Sequence, residues 1–451
     1  MASRDTSPEA APSLSRRRFV TGAAAAAAAV TVVPRHVLGG PGRQPPSETL
    51  NIAGVGIAGK GFHDIQSVSS ENIVAICDVD ARQVARGLKQ WPKAKGYKDF
   101  RKMLDAQKDI DAVSIAVPDH NHAVITMAAI KRGKHVFCQK PLTHSVYEAF
   151  AVGEAAKKHG VATQMGNQGQ ASEGARLVCE MIWDGAIGRV REIHAWSNRP
   201  HRISPRGIRR PSDTPPVPDW MDWDLWVGPS PMRPYHPCYH PFAWRGWWDF
   251  GTGVLGDIGC HQLSTVFKAL DLQHPTSVEA CSTNEQEPPE VYNETAPIAS
   301  ITTYKFPEHK GHGPITLRWY DGAMRPPRPE ALEPGREFGR NDGTMIVGDK
   351  GVILGHRLIP ESRQKEYGKP PRKLDRSPGH HKEWPIAAKG GKRAGSDFAD
   401  HAAHLAAVVL LGNCAIRTRE KLLWDAKARK FTNSDAGNAL LNPPYRDGWT
   451  L

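Results

Sequence analysis

Residues 50–59 read Leu-Asn-Ile-Ala-Gly-Val-Gly-Ile-Ala-Gly, and this stretch decides the fold. Leu50–Val55 is a short apolar strand that runs straight into Gly54-Val55-Gly56-Ile57-Ala58-Gly59. Three glycines at that spacing carry little weight alone. Here they follow a strand and open a helical pattern, and Asp78 ends the next strand, 19 residues beyond Gly59. That is the context a dinucleotide-binding turn requires. Gly54 is expected to permit the tight turn, Gly56 to let the backbone approach a pyrophosphate, and Gly59 to let helix and strand pack closely. The helix N-terminus favours the phosphates. Asp78 is placed to accept from the ribose hydroxyls and to repel a 2′-phosphate, which selects NAD. Arg82, close by, keeps NADP as the alternative.

Outward from this turn the chain alternates strand and helix. Ile73–Cys77, Ala112–Val117, His135–Cys138 and Val161–Met165 read as strands by length and β-branched content. Ala81–Gln90, Phe100–Ala106, His122–Arg132 and Ser145–His159 carry helical patterns between them. The alternation predicts an α/β fold, a Rossmann parallel sheet over 50–165 with helices on both faces. A second, α+β domain is expected over 166–451. Its strands are read at Val190–Trp196, Ser277–Thr283, Ala299–Phe306, Pro314–Tyr320 and Gly343–Leu354. Helices are expected at Ala175–Trp183, Asp397–Leu411 and Ala436–Leu441, and Arg357–Gly395 reads as a long excursion rich in Lys, Arg, Pro and Gly.

The chain of 451 residues is 39% hydrophobic and 24% charged, the balance of an ordinary globular protein of two or three domains. No apolar run is read as reaching the ~18–20 residues of a stable membrane span. Ser15-Arg16-Arg17-Arg18-Phe19-Val20 followed by the uncharged, alanine-rich Thr21–Val33 is a twin-arginine signal pattern. Residues 1–40 are therefore expected to be a signal peptide read by the Tat export machinery, 41–49 a linker, and the protein periplasmic. The net charge is +12, of which residues 1–40 hold +3. The surplus elsewhere is dispersed and no nucleic-acid-binding motif accompanies it, so no nucleic-acid partner is expected. Seven cysteines with no CxxC pair give no disulfide framework.

Three further stretches converge. Pro118-Asp119-His120-Asn121-His122 follows one strand, Cys138-Gln139-Lys140-Pro141-Leu142 ends the next, and Gly253-Val254-Leu255-Gly256-Asp257-Ile258-Gly259-Cys260-His261 comes much later. With the glycine turn they resemble the Gfo/Idh/MocA family, named for glucose–fructose oxidoreductase, inositol dehydrogenase and a rhizopine-catabolism protein. The resemblance runs from about Leu50 to the C-terminus. It implies an NAD(P)-dependent oxidoreductase of carbohydrates whose α+β second domain holds a large, open, mixed sheet through which the chain forms homo-oligomers. Its implied site is Lys140, Asp257 and His261 at the reacting carbon, with Pro118, His120, Lys140 and Pro141 beside the cofactor. Two positions depart from the pattern: Gln139 stands where Glu is usual, and Ser264 where Asp is common. The residues support this reading independently. A lysine at the carboxyl end of a sheet strand lies where open α/β sheets bind ligands and can stabilise developing negative charge. Asp257 and His261, four apart on a helix, share a face opposite the stripe Leu263, Val266, Phe267 and Leu270.

Trp220–Phe250 holds six of the thirteen tryptophans. Aromatic faces with polar neighbours suit sugar rings, which makes Trp247, Trp248, Arg245 and His240 candidate substrate residues; packing of the second domain is the competing role for the tryptophans. His236, Cys238 and His240 match no metal-ligand spacing, so no metal is expected. The expected function is an exported NAD-dependent oxidoreductase acting on a secondary hydroxyl or ketone of a sugar or sugar derivative, with tightly held cofactor. The alternatives are an NAD-dependent glycoside hydrolase or lyase that oxidises the sugar transiently, and a cofactor-bound sensor without turnover.

Overall fold

The computed structural model describes residues 48–199 and 204–451; the twin-arginine pattern and residues 41–47 of the linker lie outside them. Residues 50–451 form one unit containing two sheets. The first sheet is built from β1 (Asn51–Val55), β2 (Asn72–Cys77), β3 (Lys95–Tyr97), β4 (Ala112–Ile115), β5 (His135–Cys138) and β6 (Thr163–Met165). Its order is β3-β2-β1-β4-β5-β6, every pair parallel. The order reverses between β1 and β4, which opens a crevice beyond their carboxyl ends. β3, three residues at the sheet edge, was not foreseen from the sequence. It is too short to show a period.

The helix expected from His122 starts earlier, at Asp119, because Pro118 supplies an extended N-cap. All four residues Asp119–His122 therefore sit in the first turn and are buried. Ser145 caps the helix Val146–His159 through a complete capping box with Glu148, a pattern worth about 1 kcal/mol.

The second sheet comprises β7 (Val190–Trp196), β8 (Ser277–Ser282), β9 (Ser300–Phe306), β10 (Ile315–Tyr320), β11 (Gly343–Gly348), β12 (Val352–Leu354), β13 (Arg357–Ile359), β14 (Leu422–Asp425) and β15 (Lys430–Phe431). It is mixed, in the order β13-β12-β11-β7-β10-β9-β8-β14-β15, with β7 and β10 parallel. Gly343–Leu354 is thus a hairpin and not one strand; Asp349-Lys350-Gly351 makes the turn.

The helix expected at Asp397–Leu411 is a π-helical turn, Phe398–Ala402, continued by Ala403–Thr418. Phe398–Thr418 is 21 residues, by length and composition long and apolar enough to cross a membrane, which corrects the expectation that no run reaches that length. In the fold most of it is buried among protein. Tyr304 Oη donates to the Val409 carbonyl (3.1 Å), fixing this helix on β9. Asn413 Nδ2 donates to the Thr252 carbonyl (2.8 Å), just ahead of the helix Gly253–Gln262. The excursion 357–395 returns to the first sheet: Trp384 is fully buried with Phe137 of β5, and Gln164 of β6 donates to the His380 carbonyl (2.8 Å).

Candidate active site

A cavity of about 630 Å³ opens at the carboxyl ends of β1, β2, β4 and β5. Gly56 has φ +74°, a conformation glycine adopts freely, and a Cβ there would lie 2.4 Å from the Ala116 carbonyl oxygen. Gly54 does not line the cavity; a Cβ there would press on Ile65, so this glycine seats helix Gly59–Ser67 on β1. The close approach expected of Gly59 belongs instead to Gly61, whose Cβ would meet the Gly56 oxygen at 1.8 Å. Gly59 faces open space at the helix start with φ +45°. Such a cradle, with free N–H groups at a helix N-terminus, fits a dinucleotide pyrophosphate.

Asp78 lines the same cavity and secures the turn. Its Oδ2 accepts from Ile57 N–H (2.9 Å) and its Oδ1 from Asp80 N–H (3.0 Å). Burial raises its pKa to about 6, against the lowering effect of those N–H groups. Arg82 is held elsewhere: it bonds both carboxylate oxygens of Asp80 and stacks at 3.3 Å on Trp220. This leaves Asp78 to meet the ribose. Asp78→Ala is expected to weaken NAD retention and narrow the gap between NAD and NADP. Hydroxyl donors favour the ionised carboxylate, so NAD affinity should also fall as pH drops below about 6. Calorimetric titrations on both sides of that pH test this. An acid-side slope that survives in Asp78→Asn removes Asp78 from the role.

Lys140 follows β5 and is ion-paired to Asp257 Oδ1 across 117 residues of sequence. Asp257 is 2% exposed. Arg199 Nε donates to its Oδ2 at 2.9 Å, and Arg245 Nε lies 3.4 Å from Oδ1. Burial alone would raise the Asp257 pKa; Lys140, Arg245 and Arg199 outweigh it and hold the carboxyl well below the usual range. His261, one turn on, lines the cavity and has no hydrogen-bond partner among the described residues. Burial, reinforced by Lys140, lowers its pKa to about 3, so the imidazole is neutral in the free enzyme.

Behind this group, Asp119 Oδ2 accepts from Thr252 Oγ1 (2.7 Å), tying the first turn of Asp119–Ile130 to the start of the Asp257 helix. His122 Nδ1 lies 2.6 Å from the Pro141 carbonyl and braces the Lys140 loop. The helix read through to Leu270 breaks at Leu263. Ser264 is buried, accepting from Asn167 Nδ2 (2.9 Å) beside His401, and is no part of the cavity wall. Gln139 does not touch Lys140's ion pair: its Nε2 donates to buried Asp64 (2.7 Å), which Lys60 and His381 also hold. His63, Asp64 and His381 form the three-ligand cluster among the described residues, and Asp64 is already occupied by these partners.

Several expected contacts are corrected. His120 is buried with Nδ1 3.1 Å from the Phe250 carbonyl and Nε2 2.8 Å from that of Trp226, so it joins the two sheets' loops and does not face the cofactor cavity. Pro141 likewise lies off the cavity wall. Trp247 and Trp248 are 0% and 4% exposed and pack in cores; Trp248 Nε1 donates to the Tyr292 carbonyl. Arg245 and His240 do line the cavity, with Pro118, Trp226 and Trp244. Arg199 was not foreseen. It lies just past β7, where no local pattern marks it.

A six-stranded doubly wound sheet with a glycine cradle, a nine-stranded mixed sheet and a buried Lys–Asp pair together mark a dinucleotide-binding α/β protein. Residues 49–167 match the family model described as "Oxidoreductase family, NAD-binding Rossmann fold", and residues 208–296 that described as "Oxidoreductase family, C-terminal alpha/beta domain". Both models are those of the Gfo/Idh/MocA oxidoreductases, so these two stretches of the chain are similar to that family's NAD-binding and C-terminal domains. It is 30% identical to an inositol 2-dehydrogenase of Salmonella paratyphi B over 147 residues, 32% of this chain and 44% of that protein. It is 29% identical to the levoglucosan dehydrogenase of Pseudarthrobacter phenanthrenivorans over 187 residues, 41% of this chain and 39% of that one. The chain thus spans less than half the length of these curated relatives. In structure it is similar to the WlbA dehydrogenase from Bordetella pertussis, solved with NADH and UDP-GlcNAcA: TM-score 0.56, 16% identity, 84% of this chain and 99% of that one. That likeness shows the fold.

Proposed function

We propose that the protein is an exported NAD-dependent oxidoreductase of a sugar or sugar derivative, acting on a secondary hydroxyl or ketone with a cofactor it does not release. The observation that carries this reading is the placing of Lys140 and neutral His261 on the wall of the cradle cavity, with buried Asp257 paired to Lys140. Bound NAD supplies a hydride acceptor. Lys140, oriented by Asp257, holds the substrate hydroxyl and stabilises negative charge on its oxygen; His261 takes its proton. Trp226 and Trp244 offer apolar faces to the ring. A sensor without turnover has no use for a buried Lys–Asp pair beside an unpartnered imidazole. The oligomer implied by the family would use the open face of the nine-stranded sheet, where Ile301, Val347, Val352 and Leu354 remain partly exposed.

Export rests on the twin-arginine pattern. Outside the cytoplasm free NAD is scarce, so an enzyme releasing NADH each cycle would stop after one turnover. The cofactor stays, and oxidation and re-reduction occur in one site, either by exchange between two sugars or by oxidation, elimination and re-reduction of one glycoside. Protein purified without added cofactor and then denatured is expected to release nicotinamide dinucleotide in near-stoichiometric amount. Protein that emerges empty, and reduces added NAD over many turnovers, would identify an ordinary soluble-cofactor dehydrogenase. Mass spectrometry of glycoside digests separates the two redox-neutral routes: free aglycone marks elimination, a keto-sugar or alditol marks exchange.

A further inference from the structure

The cavity carries more positive charge at its reacting end than the chemistry above uses. Lys140, Arg199 and Arg245 all face Asp257, the one carboxylate they share. Asp119 stands behind them with its pKa raised to about 7 by burial, so at neutral pH it cancels part of one further charge. Between one and two positive charges remain without a counter-charge. Arg199 spends only Nε on Asp257, and its two terminal nitrogens have no partner among the described residues. Arg245 donates Nη1 to the Phe242 carbonyl (2.9 Å) and is clamped over the Trp244 and Phe242 rings, while its buried Nε makes no hydrogen bond. A guanidinium cannot shed its proton, and gathering three cations on one carboxylate in a partly buried site is costly unless a ligand brings a further anion. The cofactor diphosphate is met by the glycine cradle of the first domain, whereas both arginines come from the second.

We propose that the substrate is an anionic sugar, a sugar acid whose carboxylate is taken by the free edge of Arg199 together with Arg245. A planar carboxylate matches a guanidinium edge with two parallel hydrogen bonds, and the aromatic clamp fixes Arg245 before the ligand arrives. The ring then lies against Trp226 and Trp244 with a hydroxyl toward Lys140. This assignment rests on the reading of the cavity as a sugar redox site, and the test keeps the two apart. The NAD-loaded full-length protein is titrated calorimetrically with D-glucuronate and with D-glucuronamide, which differ in charge and little in shape. D-glucuronate is expected to bind tighter by on the order of 10–100-fold, the range for charge-assisted hydrogen bonds. The preference should shrink as salt rises and should collapse in Arg199→Gln, with Arg245→Gln as the second variant. Equal affinity for acid and amide, no binding of either, or a preference unchanged in both variants overturns the proposal. Cofactor reduction by neutral sugars together with equal affinities would leave the redox reading standing and remove the sugar acid. A charge preference with no reduction by any hydroxyl compound would do the reverse.

Discussion

Lys140→Ala is expected to lower turnover by about 10²–10⁴-fold, the range for loss of a positioned acid–base or electrostatic group, while cofactor content and fold should change little. The fold survives because Asp257 keeps Arg199 and Arg245 as partners when the ammonium is gone. His261→Ala is expected to fall in the same range. The two differ in their pH behaviour. The His261 pKa is lowered to about 3, so the free base persists far below the ordinary histidine range. The turnover number at saturating cofactor should therefore show no step near pH 6.5, and the acid-side loss should sit in cofactor affinity, where Asp78 titrates at about 6. Steady-state rates across this range check both statements. A histidine-like step in turnover would mean that His261 is solvated in the working enzyme, and near-wild-type turnover in Lys140→Ala would remove the lysine from the chemistry.

The parallel sheet was legible because its signals are local. Strand and helix alternate with short connections, and the glycine turn, Asp78 and the Ser145 capping box each speak within a few residues. What failed was also local in origin. β3 is too short to show a period, whereas the β11–β12 hairpin did carry a signal that the apolar runs on either side masked: Gly348, Asp349 and Gly351 are turn residues. Glycine roles were assigned by motif position, yet the backbone contact that decides them puts Gly61, outside the motif, against Gly56.

The site was legible only where a motif marked it. Lys140 and Asp257 meet across 117 residues, and nothing in either segment's periodicity says so; the family pattern did. Arg199 carries no such mark, although it makes the better hydrogen bond to Asp257 of the two arginines. The tryptophans divided for a reason composition cannot show. Trp223 and Trp226 stack at 4.6 Å, but only Trp226 reaches the cavity, while Trp247 is enclosed by Tyr239 and its neighbours. Gln139 shows the same limit. It stands next to Lys140 in sequence where Glu is usual, whereas the structure ties its side chain to the Asp64 carboxylate on the neighbouring helix.

Asp257→Asn is expected to cost stability as well as activity, which separates it from Lys140→Ala. The substitution keeps the shape of the side chain and removes the one negative charge that Lys140, Arg199 and Arg245 share. Lys140 is 12% exposed and Arg245 16% at the side chain, so water replaces the lost carboxylate poorly. Breaking a buried ion pair by removing one partner typically costs about 3–5 kcal/mol, because it strands the remaining charge. Here like charges are also left facing one another. The variant should melt well below the wild type, and added formate should restore part of the loss by entering the vacated anion position, raising the melting point of the variant more than that of the wild type, whose Arg199 and Arg245 also offer it a site. Turnover should fall at least as far as in Lys140→Ala, since the lysine loses its orienting partner. Thermal melts with and without formate decide the matter: a variant that melts with the wild type would show that solvent, and not Asp257, compensates these cations.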